Sequence, residues 1–171
     1  FEYFMIFKIS SHNSDLYNTL LTLSRNIFFY KNIKLSDTFE TRLYLMFFHF
    51  SILMIIFKKK GNKFDQKVYD IFFHNIENNL RELGFGDVAV NKKMKEFNKL
   101  LYDILLKLES QSAHTKNFKI NQKTVSKYFD FLKDPKSSFF IEFESYFQDF
   151  YDFCFELSLN NMVEDIIKFK Y

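Results

Sequence analysis

The chain has 171 residues, 47% of them hydrophobic and 26% charged, which suits one globular domain with a full core rather than a disordered segment. Its single cysteine, Cys154, excludes an internal disulfide and a multi-cysteine zinc site, and a net charge of +3 is too small to argue for DNA or other nucleic acid as a partner. The excess of Phe, Lys, Asn and Ile over Gly, Ala, Pro and Arg follows A/T-rich codon usage, so most of the 26 phenylalanines are expected to replace leucine in a core.

The sequence opens on Phe1, and Met5 is the expected initiator. No basic–apolar–small secretory pattern and no Arg/Ser-rich transit pattern is legible, so a cytoplasmic protein is expected. Ser14 is placed to cap a first helix whose apolar positions Leu16, Leu20, Leu23, Ile27 and Tyr30 recur at three- and four-residue steps. A short polar connection leads to Asp37 and Glu40, spaced as a capping box with Asp37 as the cap. The helix so opened carries the apolar run Leu43 to Phe57, closed by Lys58-Lys59-Lys60-Gly61. That run is shorter than the roughly 20 apolar residues a membrane span needs, so it reads as the buried centre of a bundle.

Val68, Phe72, Ile76, Leu80 and Leu83 form the stripe of a helix over residues 64–83. Two of the chain's three glycines follow, in Leu80-Arg81-Glu82-Leu83-Gly84-Phe85-Gly86-Asp87, which predicts a tight corner. Gly84 is the expected helix stop and Asp87 the expected cap of the next helix. Met94, Phe97, Leu101, Ile104, Leu105 and Leu108 carry that helix to about residue 109, and residues 110–120 are turn-like. A shorter helix spans residues 122–133 and is stopped by Asp134-Pro135. A last aromatic helix covers about residues 138–159, before Asn160-Asn161 and a short tail. No strand-type alternation appears and no linker divides the chain, so the fold class is all-α: a single domain over 1–171 in a bundle of about six helices.

Charge is unevenly spread. Residues 58–136 hold 17 basic and 10 acidic side chains, and residues 137–165 hold seven acidic and no basic ones. Lys58, Lys59, Lys60, Lys63, Lys92 and Lys93 mark a basic surface that suits an anionic membrane or ribosomal RNA; the plainer expectation is two solvated faces that attract each other within the fold.

Catalytic and metal-binding patterns are absent: no phosphate-binding glycine loop, nucleophile elbow, or His-Glu-x-x-His or Glu-x-x-His helix. No enzyme activity and no cofactor is expected. Cys154, between Phe153 and Phe155, reads as a buried inert thiol. His12 and His114 read as surface loop residues. His49 sits among phenylalanines and reads as a hydrogen-bonded core residue. Were it to approach His74 on the next helix, an apolar pocket near His49 and His74 could serve a haem- or lipid-binding carrier, which is the alternative reading.

Several blocks, in order, resemble the ubiquinol–cytochrome c chaperone family. They are Leu16-Tyr17, Arg25 with Phe29-Tyr30, Asp37-Thr38-Phe39 with Arg42, His49 with Leu53, Gln66, the Leu80 to Asp87 corner, and Val90 with Lys93-Met94. The family-like core runs over about residues 16–134, and the corner is its most specific block. One departure is visible: relatives usually show Tyr-Gly-Arg where this chain has Tyr102-Asp103-Ile104. The resemblance implies a non-enzymatic alphaproteobacterial assembly chaperone that binds newly made cytochrome b for the respiratory bc1 complex. It implies action in the cytoplasm or peripherally on the cytoplasmic face of the inner membrane, with a small partner protein or the ribosome nearby. Asp37, Arg42, His49, Arg81, Glu82 and Asp87 become candidates for client or partner recognition, with Gly84 and Gly86 as structural corner residues.

Overall fold

In the computed structural model, residues 15–112 and 117–171 are described, and among them every regular element is a helix. In chain order these are α1 (Asp15–Ser24), α2 (Ile27–Lys31), α3 (Phe39–Lys59), α4 (Gln66–Glu82), α5 (Asp87–Ser112), α6 (Gln122–Tyr128), a 3₁₀ turn Asp130–Leu132, α7 (Ser138–Phe155), α8 (Met162–Asp165) and a 3₁₀ turn Ile166–Lys168. The expected cap Ser14, the expected initiator Met5, and His12 and His114 lie outside the described residues.

The bundle is all-α and centred on α3. From Arg42 to Ile56 every residue of α3 is buried except Tyr44 and Met54, which are partly covered. A helix apolar on all sides must be surrounded, and α1, α5 and α7 pack against this one. Of the described helices, α3 alone is long and apolar enough to cross a membrane, yet 78% of its apolar window is buried inside the molecule. Helix α4 packs on α1 and α5, and α8 with the 3₁₀ turn after it folds back onto α1.

Aromatic rings fill the seam between α3 and α7. Phe48 lies 6.0 Å from Phe143 and 5.6 Å from Phe147 between ring centroids, and His49 lies 4.9 Å from Phe147 and 4.8 Å from Phe150. Most of these contacts are tilted or edge-on, the arrangement that aromatic quadrupoles favour. Phenylalanine is therefore a core residue here, as composition implied.

Helix ends differ from the sequence-based expectation in several places, α5 among them, which runs on to Ser112 rather than stopping near residue 109. The first helix is broken: α1 stops at Ser24, Asn26 caps α2 by accepting the Phe28 N–H at 3.0 Å, and the Tyr30 hydroxyl donates to the Ser24 carbonyl at 2.6 Å. Ile27, expected on the buried stripe, is 58% exposed in consequence. Thr38, not Asp37, caps α3, accepting the Thr41 N–H at 3.1 Å; the Asp37 carboxylate is taken instead by Arg42. The helix expected over 122–133 divides into α6 and a 3₁₀ turn, and α7 ends at Phe155 rather than near residue 159. Lys60 reaches across to that end and donates to the carbonyls of Phe155 and Leu157 at 2.5 and 2.9 Å, which satisfies C-terminal groups that α7 leaves open.

Candidate functional site

The corner between α4 and α5 is built by hydrogen bonding and one left-handed residue. Gly84 has φ +91°, its N–H donates to the Arg81 carbonyl at 2.9 Å, and the Phe85 N–H donates to the Leu80 carbonyl at 3.2 Å. This paired closure is the Schellman motif, and it ends α3 as well, with Gly61 at φ +75°. A Cβ at Gly84 would meet no atom within 4 Å, so only backbone conformation demands glycine there. Asp87 proves to be the first residue of α5 rather than its cap; the cap position falls to Gly86, whose carbonyl accepts the Val90 N–H at 2.9 Å. Freed from capping, the Asp87 carboxylate takes the Arg81 guanidinium, and Arg81 also donates to Glu77 at 3.0 Å. Arg81 thus ties the last turn of α4 to the first turn of α5, and these carboxylates hold its pKa above the usual value.

Beyond the corner, α4 and α5 diverge around an open groove of about 520 Å³ lined by Tyr69, Asp70, Ile71, Phe73, His74, Glu77, Met94 and Asn98. Glu77 is shared: one of its oxygens takes Arg81 while its side chain walls the groove. Across the groove the Tyr69 hydroxyl donates to Asn98 Oδ1 at 2.9 Å, and Asn98 Nδ2 donates to the Met94 carbonyl at 2.9 Å. Ile71 is 48% exposed at its edge, and Tyr102 farther along α5 is 53% exposed. A second groove of about 340 Å³ lies between α3 and α5, lined by Met54, Ile55, Phe64 and Leu105 with Lys58, Lys63, Asn62 and Glu109 around it. Both grooves include an adaptable methionine. The α4/α5 groove sets Ile71, Phe73 and Met94 among the polar Asp70, His74, Glu77 and Asn98, and the α3/α5 groove has the more apolar floor, which is chemistry for holding an amphipathic or apolar segment.

The sequence-predicted residues do not converge on one face. His49 is wholly buried; its Nδ1 lies 2.6 Å from the Leu45 carbonyl and its Nε2 2.8 Å from the Tyr146 hydroxyl. Burial lowers its pKa to about 4, against the smaller opposing effect of the Leu45 carbonyl, so it is neutral near pH 7. His74 is 69% exposed and stands 3.9 Å from Glu77. The pocket expected near His49 and His74 is therefore not formed: one imidazole is satisfied inside the core, the other faces outward. Arg42 is also buried, held by Asp37, and burial pushes the neighbouring Tyr30 hydroxyl up to about 12. His49 and Arg42 both lie inside the fold rather than on its surface. Of the candidates, Asp37, Arg81, Glu82 and Asp87 are exposed, Asp37 apart from the corner that holds the other three. Cys154 is buried and its thiol is pushed well above the usual range by desolvation. Among the described residues no three of His, Cys, Asp and Glu converge as a metal site requires.

The basic residues are divided in their roles. Lys58 pairs with Glu109, Lys59 lies 5.3 Å from the Tyr151 ring centre, Lys60 closes α7, and Lys93 lies 5.0 Å from the Phe85 ring centre. Lys63 and Lys92 are exposed and have no ion-pair partner among the described residues. The expected attraction between the basic and acidic segments is not made by ion pairs: none links residues 58–136 to 137–165 among the described residues.

Of the groove residues, His74 was singled out from sequence, but for a pocket with His49; Tyr69, Ile71, Glu77 and Asn98 were not. A signal did exist, since Ile71 is a large apolar residue lying off the stripe that Phe72, Ile76 and Leu80 define. Asp103, at the departure from the family pattern, is another. Burial pushes its carboxyl up, but hydrogen bonds from Lys127 at 2.8 Å, Tyr128 and Lys107 at 3.0 Å outweigh this and hold it at about 2. It pins α6 to α5.

A family model described as ubiquinol-cytochrome C chaperone matches residues 31–130, which covers α3 to α6, the corner and both grooves. No curated protein and no solved structure matches the chain.

Proposed function

The chain belongs to the ubiquinol–cytochrome c chaperone family, and on that premise we propose that it binds newly made cytochrome b and promotes its maturation into the bc1 complex, making and breaking no covalent bond itself. The observation that carries this reading is the place of the α4/α5 groove, inside the family-matched segment and joined through Glu77 to the corner that is the most specific block of the resemblance. A client made of transmembrane helices exposes apolar surface that aggregates in water. A groove floored by Phe73 and Met94 covers such surface by packing rather than by many fixed hydrogen bonds, so the client is held and later released. Arg81, fixed by Glu77 and Asp87 yet still exposed, is the polar group best placed to read the end of an apolar segment.

We place the protein at the cytoplasmic face of the membrane that receives cytochrome b; fractionation of cells under high salt checks this. The central experiment is a photocrosslinking residue at Ile71 or Met94, with the prediction that cytochrome b is the captured product. A null strain that keeps normal cytochrome b and its haem would overturn the reading. The Ile71→Glu variant tests the site itself. Its side chain is already half exposed, so thermal stability should hold while captured cytochrome b falls.

A further inference from the structure

Two charged stripes on this chain make no ion pair among the described residues. On the outer surface of α5, Lys92, Lys95 and Lys99 are exposed, and none has an ion-pair partner among the described residues. They follow steps of three and four, so they lie along one side of the helix. The same row continues to Val88, Tyr102 and Leu106, which are 86%, 53% and 61% exposed. Glu96, exposed beside the row, is the one acidic residue between Val88 and Tyr102. On α7, Asp149 and Asp152 are exposed, and the exposed Glu156 that caps its C-terminus continues the same steps of three and four, with Glu142 two turns earlier. No described ion pair engages any of these acids, and Ile141 and Phe155 beside them are 54% and 38% exposed. Both helices pack on α3, and no ion pair joins one stripe to the other within the chain.

We propose that the basic row of α5 docks on the acidic row of α7 of a second copy of this chain. Charge complementarity selects this occupant: the same sequence carries both rows, with matched spacing and with apolar side chains at their margins. Exposed pairs stabilise little one by one, but an aligned array fixes register and steers encounter, and the flanking Val88, Tyr102, Leu106, Ile141 and Phe155 supply apolar contact. Such a contact joins two different patches, so it closes a ring or extends according to the rotation it imposes. The contact joins a row inside the family-matched segment, on α5, to one outside it, on α7.

Sedimentation velocity on the full chain tests it. At low salt the protein should form species heavier than 20.9 kDa as concentration rises, and raising salt to about 0.5 M should weaken association by about tenfold or more. The triple variants K92E/K95E/K99E and D149K/D152K/E156K should each be monomeric alone and associate when mixed, because each supplies the charge the other has lost. Circular dichroism checks folding, and the single reversals Lys95→Glu and Asp152→Lys repeat the test if a triple variant unfolds. A wild-type chain that stays monomeric at low salt overturns the proposal, as does a mixture of folded variants that does not associate. Loss of anionic-vesicle binding in K92E/K95E/K99E, with no self-association of the wild type, would assign the row to lipid instead.

Discussion

The seam between α3 and α7 and the groove between α4 and α5 use the same kinds of side chain to opposite ends. Along the seam, Phe48, Phe143, Tyr146, Phe147 and Phe150 are each 0% exposed, and the imidazole among them has both nitrogens engaged. Along the groove, Tyr69 and Met94 are only partly covered and Ile71 is half exposed. A ring closed on every side stabilises the fold and can meet no partner; a ring covered on one side is less stabilising and remains available. The family-matched segment reaches the seam only through α3, whereas the groove lies wholly inside it. Stability should therefore depend on the seam and client binding on the groove.

The sharpest way to break that division is truncation in the seam. Phe147→Ala should destabilise the protein by about 3–5 kcal/mol, read by urea unfolding, because it removes a fully buried ring and leaves a cavity. Cytochrome b should fall only in proportion to the folded protein that survives. A nearly normal unfolding midpoint would show that the seam is not where the stability lies.

Acid should reach the same seam through His49. Its folded pKa of about 4 lies below the ordinary value of 6.5, so the folded state resists protonation that the unfolded chain accepts. The stabilisation is complete above pH 6.5 and is lost as pH falls toward 4, up to about 3 kcal/mol. The slope between these limits should flatten in His49→Gln. An unchanged pH profile in that variant would show that other groups govern acid sensitivity.

At the corner the effects are smaller. Gly84→Ala should cost about 1–2 kcal/mol, since alanine is strained at φ +91° although no atom crowds its Cβ. Its client binding should fall only if the angle between α4 and α5 shifts. Smallest of all in stability is Arg81→Ala, which breaks exposed contacts to Glu77 and Asp87. Its unfolding midpoint should stay near wild type while cytochrome b accumulation drops; equal loss of both would return Arg81 to a structural role.

Much of this architecture was legible in the sequence. The stripe Phe72, Ile76 and Leu80, the buried run on α3, and the stop at Gly84 rest on interactions spanning three to five residues, which any short window of sequence contains. Capping was less legible. Asp37 and Asp87 each had the right chemistry and spacing for a cap, but Arg42 and Arg81 took their carboxylates. An ion pair with a neighbouring guanidinium competes with capping, and the spacing alone does not show which wins.

The sequence by itself determined that the chain is all-α, which segment is central, where the sharpest corner falls, and which family it belongs to. Only the tertiary structure decided that His49 meets Tyr146, 97 positions away, and not His74, and that Ile71 stands at the edge of a groove. It also decided that the lysines of α5 and the acids of α7 never meet in one copy. Helical periodicity is local, carried by contacts a turn apart. Which helix lies beside which depends on the simultaneous burial of all their faces, and no single stretch of sequence contains that information.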